Sequence, residues 1–351
     1  MHHSEMKSDV RRLIAEGTVL PAHPLALDAS RALDTVHQRA LTRYYIDAGT
    51  GGLAVGVHTT QFAIRDVGLF KPVLELAAET AATWTKRPLA LVAGLVGPTQ
   101  QAISEAKIAL GIGYHAGLLS LAGMASASED EIIAHCEAVA REIPLVGFYL
   151  QPAVGGVILS VNFWRRFAAI DNVIAIKIAP FNRYRTLDVL RGVAAAGALD
   201  RVALYTGNDD HILLDLMLPF DLRDRGVTTR AYFRGGLLGH WSVWTASAIK
   251  QFERCRAARN KDAVPADLLA LDARVTDCNS AFFDVANNFH GCIAGCHEIL
   301  RRQGLLEGIW CLDPAEGLSP GQLQEIDRVC REHGDLSDDA FVAANLQKWL
   351  A

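Results

Sequence analysis

The chain has 351 residues, half of them hydrophobic and 21% charged, which excludes a disordered polymer and allows a large buried core. Its 34 Lys and Arg against 39 Asp and Glu leave a net charge of −5. There is no global attraction to phosphate backbones, and nucleic acid is not an expected partner. Seven scattered cysteines are too sparse for a disulfide scaffold, and the polar start MHHSEMKSDVRRLIAEG has no apolar core of a leader, so a reducing, cytoplasmic setting is expected.

Along the chain, short apolar runs alternate with amphipathic helical stretches. Strands are expected at Thr18–His23, Gly52–Val57, Leu89–Leu95, Gly117–Leu121, Pro144–Leu150, Val173–Ile178, Arg201–Thr206 and Leu237–Val243. Helices are expected between them at Asp34–Ala48, Val67–Thr85, Thr99–Leu110, Glu129–Arg141, Val161–Ile170, Leu187–Ala196 and His211–Met217, with Val243–Arg259 after the last. Ser128 before Glu129, Asp130 and Glu131 supplies a cap and a negative first turn. The most apolar stretch, Ile108–Ala125, is broken by Gly111, Gly113 and Gly117 and interrupted by Tyr114, His115 and Ser120. It reads as a helix end and a buried strand, so no membrane partner is expected.

Eight strand–helix units with parallel crossovers predict an α/β fold, a (β/α)8 TIM barrel over residues 1–259 including a short N-terminal helix. An open doubly wound sheet is the second choice, disfavoured because no glycine-rich fingerprint follows the first strand. After residue 259 the pattern is helical only, at Pro265–Ala286, Asn287–Gln303, Ser319–His333 and Asp338–Leu350. This predicts a C-terminal helical extension, 260–351, packed on the barrel.

Reactive groups of such barrels sit at the carboxyl ends of the strands. Lys177 stands inside the apolar run Val173-Ile174-Ala175-Ile176-Lys177-Ile178. An ammonium buried there loses its proton or finds a partner, and a neutral amine attacks carbonyls to form a Schiff base. An internal ion pair or a snorkelling side chain is the plain alternative. Tyr149 ends the neighbouring strand and is a candidate proton relay, or else a core tyrosine with its hydroxyl satisfied. After the second strand, Gly56 and the run His58-Thr59-Thr60-Gln61 offer hydroxyls and turn amides to a carboxylate, unless the threonines merely bond their own turn. The seventh strand ends Thr206-Gly207-Asn208-Asp209-Asp210-His211, a turn that also serves to cap the next helix.

These residues resemble the dihydrodipicolinate synthase and N-acetylneuraminate lyase family of Schiff-base barrel enzymes, from Val19-Leu20-Pro21 to about Arg259. The likeness rests on Phe148-Tyr149 with Pro152, on Ile174-Ala175-Ile176-Lys177 with Asn182, on the turn Thr206–Asp210, and on Gly235-Gly236 with Trp241-Ser242-Val243. It implies a lyase or aldolase acting on a 2-oxo acid such as pyruvate or a sugar-derived keto acid. Lys177 would form the imine and Tyr149 would move protons, with His58, Thr59, Thr60, Asn182, Gly207 and Asn208 at the substrate. No metal or organic cofactor is implied, and a homo-oligomer, dimer or tetramer, is. The chain departs from the family at Val57, where a hydroxyl is usual, at Gly123-Met124, where a neighbouring subunit usually lends a tyrosine, and at Ala153-Val154-Gly155, where the synthases carry an arginine. An insertion at about Pro219–Phe233 precedes the last strand.

Three other readings stay open: a sugar-acid dehydratase on the same imine, a metal-dependent barrel lyase, and a non-catalytic sugar-acid binder. A metal would draw on His58, His211 and His240. His290, Cys292, Cys296 and His297 form a second cluster, read here as buried helix cysteines and their neighbours.

Overall fold

The computed structural model describes residues 1–224, 226–259, 261 and 263–351. The first helix, α1 (Ser8–Glu16), is followed by β1 (Val19–Pro21), α2 (Thr35–Ala48), β2 (Gly52–Val55), α3 (Phe70–Trp84), β3 (Ala90–Leu95) and α4 (Thr99–Ile112). The alternation continues with β4 (Ala116–Leu119), α5 (Glu129–Ala140), β5 (Leu145–Tyr149), α6 (Val161–Ala169), β6 (Val173–Ile178), α7 (Arg183–Ala195), β7 (Ala203–Thr206) and α8 (Ile212–Met217). Then come β8 (Phe220–Asp224), β9 (Val227–Ala231), β10 (Gly235–Leu238) and α9 (Thr245–Arg259). Four helices finish the chain: α10 (Ala266–Phe282), α11 (Cys292–Arg302), α12 (Gln322–Glu332) and α13 (Asp339–Leu350).

Eight parallel strands run in the order β1-β10-β7-β6-β5-β4-β3-β2, and a parallel bridge from Ala22 to Ala54 closes β1 onto β2. The result is the expected (β/α)8 barrel with helices after it. Two apolar layers follow from strand alternation. One fills the barrel interior with Leu20, Ala54, Val92, Leu118, Val146, Phe148, Ala175 and Leu237, and the other packs the outer strand faces on the helices. Val10 and Ile14 of α1 stop the lower end of the interior, where the Tyr205 hydroxyl donates to the Ile14 carbonyl at 2.9 Å.

Local chemistry sets several boundaries. Ser128 and Glu131 cap α5 reciprocally. Asn182 caps α7, accepting from the Tyr184 and Arg185 amides at 3.0 and 3.2 Å, so that helix starts one turn before Leu187. The last barrel strand is Gly235–Leu238 and not Leu237–Val243, because His240–Ser242 forms a helical turn. That turn lays the Trp241 ring over Gly236, where a Cβ would stand 2.6 Å from ring carbons. The apolar run after Leu238 is therefore buried without being extended. Within the insertion, β8 and β9 form an antiparallel hairpin, buried at Phe220, Leu222 and Ala231, where only a long loop was expected. Among the described residues no helix is long and apolar enough to cross a membrane.

Candidate active site

At the carboxyl ends of the strands lies a pocket whose empty space is about 660 Å3 with the open solvent at its mouth included. Its floor is Lys177 of β6 with Phe148 and Gly207, and His58 and Thr59 stand on the wall after β2. Its roof comes from the chain after the barrel: Phe283 and Phe289 of the α10–α11 turn, and Cys292, Ile293 and Cys296 of α11. Asp284 builds this turn, its carboxylate accepting from the Gly291 amide at 2.9 Å and the Asn287 side chain at 2.6 Å. Phe289 projects from a left-handed residue there, with φ of 66°.

Lys177 is almost wholly withdrawn from solvent, its relative exposure being 8%. Its ammonium lies 4.4 Å from the centre of the Phe148 ring, and among the described residues no carboxylate comes within salt-bridge distance. Burial pulls its pKa below the ordinary lysine range, and the Asp209 carboxylate opposes that pull. Lys177 reaches the cavity because residue 207 is glycine. A Cβ there would meet Lys177 Cε at 2.8 Å and the Ala179 Cβ at 2.7 Å.

The turn after β7 is held rigidly. Buried Asp215 accepts from Thr206 Oγ1 at 2.6 Å, from Asn208 Nδ2 at 2.9 Å and from Arg183. Asn208 Oδ1 accepts from the Phe181 amide at 3.1 Å, and from the tail Asn279 Nδ2 donates to the Asp209 carbonyl at 2.6 Å. The Asp209 side chain is left facing the pocket, 9% exposed, with Oδ1 unpartnered among the described residues. Burial raises its pKa far above the usual carboxylate range, and the Lys177 charge opposes the rise. For His58 burial comes first and the Lys177 charge second, and together they lower the imidazole to about 4.

Of the residues singled out in the sequence, Lys177, His58, Thr59 and Gly207 meet at this pocket. Tyr149 does not. The register pairs Phe148 with Lys177 and Tyr149 with Ile178, so Phe148 points inward and Tyr149 outward. The tyrosine ring packs 5.0 Å from Trp164 of α6, and its hydroxyl accepts only a long 3.5 Å bond from the Leu159 amide. A proton relay from Tyr149 to the lysine is therefore not available in this arrangement. Thr60 is also turned away: its hydroxyl donates to the His23 carbonyl at 2.6 Å and accepts from the Gly56 and Val57 amides. Asn182 is an exposed helix cap, and Asn208 is spent on the turn. The sequence pattern marks the turn that carries Asp209 without marking Asp209 itself, and it does not mark Phe148, Gln151 or the apolar roof as parts of the pocket. For Asp209 the available signal was a carboxylate two residues past the glycine of a strand-end turn.

The metal alternatives lose their geometry. His240 is buried flat against Phe282 at 6.2 Å, and half-exposed His211 faces Asp272. Among the described residues, the groups close enough to share an ion are His2, His3 and Asp171; Asp34, His37 and Glu307; and Asp277, Glu332 and His333, none of which lines the pocket. Cys292 and Cys296 are roof residues whose thiols burial pushes up, Cys292 to about 12.

Comparison with known proteins agrees with this architecture. The model of the dihydrodipicolinate synthetase family matches residues 16–221. N-acetylneuraminate lyase 2 of Escherichia coli O6:H1 (strain CFT073) is 24% identical over 324 residues, covering 90% of this chain and 95% of that protein. Dihydrodipicolinate synthase from Oceanobacillus iheyensis superimposes with a TM-score of 0.75 at 15% identity, over 93% of this chain and 100% of the other. The synthase from Acinetobacter baumannii complexed with pyruvate gives 0.71 at 17% identity, over 91% and 99%. At such identities the superpositions carry the fold alone. The family match spans more than half of the chain, which is thus a divergent member of the dihydrodipicolinate synthetase family and a lyase of that type.

Proposed function

We propose that this lyase works through a Schiff base on Lys177 and acts on a 2-oxo acid. The observation that carries the reading is the lysine itself: a desolvated amine with no ion-pair partner among the described residues, lining a cavity at the carboxyl end of the barrel strands. Such an amine is neutral often enough near pH 7 to add to a ketone, and the resulting imine withdraws electrons for carbon–carbon or carbon–oxygen bond cleavage. The pyruvate complex of the Acinetobacter baumannii synthase supports a short 2-oxo acid as the reacting end. In this reading His58 and Thr59, which line the same pocket, receive its carboxylate.

The remaining wall favours a tail with few hydroxyls. Apart from Gln151 it is formed largely by Phe181, Phe289, Leu150, Val154 and Ile293, which offer no side-chain hydrogen bond, and each substrate hydroxyl buried against them would lose its partners in water. A polyhydroxylated sugar acid is therefore the poorer fit, and a 2-oxo acid with a short or apolar tail the better one.

The test is borohydride reduction of the protein with pyruvate, with longer aliphatic and aryl 2-oxo acids, and with a sugar-derived keto acid, followed by peptide mass mapping. The expected result is an adduct on Lys177, formed faster with apolar than with polyhydroxylated tails and lost in Lys177→Ala. Lys177→Arg should also form none, because a guanidinium stays protonated. Adducts that persist in Lys177→Ala would overturn the proposal.

A further inference from the structure

The pocket brings to the lysine no hydroxyl from the end of β5: Phe148 occupies the site across from Lys177, and the neighbouring tyrosine faces α6. Imine chemistry nonetheless needs a group that gives and takes protons at the ketone oxygen and at the carbon beside it. The acidic side chain lining the cavity is Asp209. It stands on a turn pinned on both sides, by Asp215 through Thr206 and Asn208 and by α10 through Asn279 and Thr276. Its Oδ1 has no partner among the described residues, a costly arrangement for a buried carboxyl unless it holds a proton or serves a ligand. Apolar Phe148, Cys292, Cys296 and Phe289 line the same cavity as the two groups.

We propose that Asp209 is the proton carrier of this active site, a catalytic residue that works as acid and base on the atoms bonded to Lys177. The proposal rests on Lys177 being the imine-forming residue. Between them the lysine and the carboxyl carry one proton. With the proton on Asp209, the neutral amine attacks the ketone carbon, and the carbonyl electron pair moves to oxygen, which takes the Asp209 proton. The adduct nitrogen, now positively charged, returns a proton to the carboxylate. Asp209 then protonates the hydroxyl, which leaves as water while the nitrogen lone pair forms the iminium. The carboxylate so produced removes a proton from the carbon beside the iminium, and that C–H pair neutralises the nitrogen as an enamine. Each transfer reverses the one before, so one carboxyl serves every step.

Burial pushes the two groups toward each other, the lysine down and the carboxyl up. The other titratable groups facing Asp209 are Asp210 beside it and the Cys292 and Cys296 thiols of α11, and burial keeps both thiols protonated. The active form carries one proton on the pair. At low pH a second proton leaves the lysine as ammonium, and at high pH none remains to give to the ketone oxygen. Activity should therefore fall on both sides of a maximum.

The experiment uses the full-length protein with pyruvate in D2O and follows deuterium entering the methyl group by NMR across pH, beside borohydride trapping. In Asp209→Asn, exchange should drop roughly 100-fold or more, the alkaline fall of the profile should vanish, and the adduct should still map to Lys177. Adding Phe148→Tyr to Asp209→Asn places a hydroxyl across from the lysine and should restore at least tenfold. Exchange in Asp209→Asn within threefold of the parent, or a uniform loss that leaves the pH profile unchanged, would overturn the proposal. A parent protein that forms no adduct on Lys177 would instead overturn the Schiff-base reading itself.

Discussion

Gly207→Ala tests the site with one methyl group. The added Cβ would lie 2.8 Å from Lys177 Cε, 3.1 Å from its Cγ and 2.7 Å from the Ala179 Cβ. All three are below ordinary van der Waals contact, and two are closer than real Cβ atoms come. Ala179 is fixed by the strand end, where its amide donates to the Tyr149 carbonyl at 2.9 Å, so the lysine stem must give way. Overpacking of this kind costs about 1–3 kcal/mol. At about 2.1 cal/mol/K of unfolding entropy per residue, 351 residues give roughly 0.7 kcal/mol/K, so the melting temperature should fall by only ~1.5–4 °C. The chemical effect should be larger than the thermal one. A displacement of about 1 Å at a reacting atom costs on the order of 100-fold. The assay is the rate of borohydride-trapped adduct formation with pyruvate, measured beside a melting curve. A variant that melts a few degrees lower yet forms adduct at the parent rate would refute the reasoning that Gly207 sets the path of the lysine.

Three further outcomes follow from other parts of the molecule. Glu105, buried at 6% exposure, holds Arg65 through bonds of 2.8 and 3.0 Å and accepts from the Val96 amide and Gln101, so Glu105→Ala should cost about 3–5 kcal/mol by stranding the guanidinium, read as a shift in denaturant midpoint. His23 is fully buried between Pro24, Gln38 and Thr42, and burial lowers it to about 4. The unfolded chain binds a proton below about 6.5 while the folded one does not until about 4, so stability falls as pH drops through that window, by about 2 kcal/mol at pH 5. His23→Gln should remove that share of the acid sensitivity, and identical pH dependence of unfolding in the two proteins would contradict it. Finally, turnover of a 2-oxo acid should survive exhaustive chelation, and a loss restored by zinc would favour a metal held by the histidines.

The barrel was legible because periodicity reports it directly: apolar runs of strand length alternate with helical stretches, and each crossover is long enough for a parallel neighbour. Lys177 was legible because an ammonium inside an apolar strand is costly to bury, and chains rarely carry that cost without a use for it. The orientation of Tyr149 was not. β5 is buried on both faces, so Val146, Phe148 and Leu150 on the inside and Leu145 and Tyr149 on the outside are equally withdrawn from water, and no polar alternation marks which face is which. One clue was present in Gly147, whose missing side chain admits the Phe167 ring of α6 and so assigns the odd positions to the helix side. Asp209 was hidden differently. Carboxylates after strands are common as turn formers and caps, and only the fold reveals that Asn208 takes that structural duty while Asp209 keeps an oxygen without a partner among the described residues.

The helices beyond the barrel then acquire a reason in the chemistry. A lysine at a strand end, open to water, would keep its proton, and a carboxyl beside it would lose its own. Both shifts here have burial as the leading cause, and Phe283, Phe289, Cys292, Ile293 and Cys296 of the tail line the same cavity. The tail also holds the turn after β7 from the side, since Asn279 and Thr276 of α10 donate to the carbonyls of Asp209 and Asp210 and so fix the turn from which the carboxyl projects. Gln61, on the loop that carries His58 and Thr59, accepts from the Leu312 amide at 2.6 Å and ties the opposite wall to the same segment. The extension thus supplies the roof of the pocket and is joined to both of its walls.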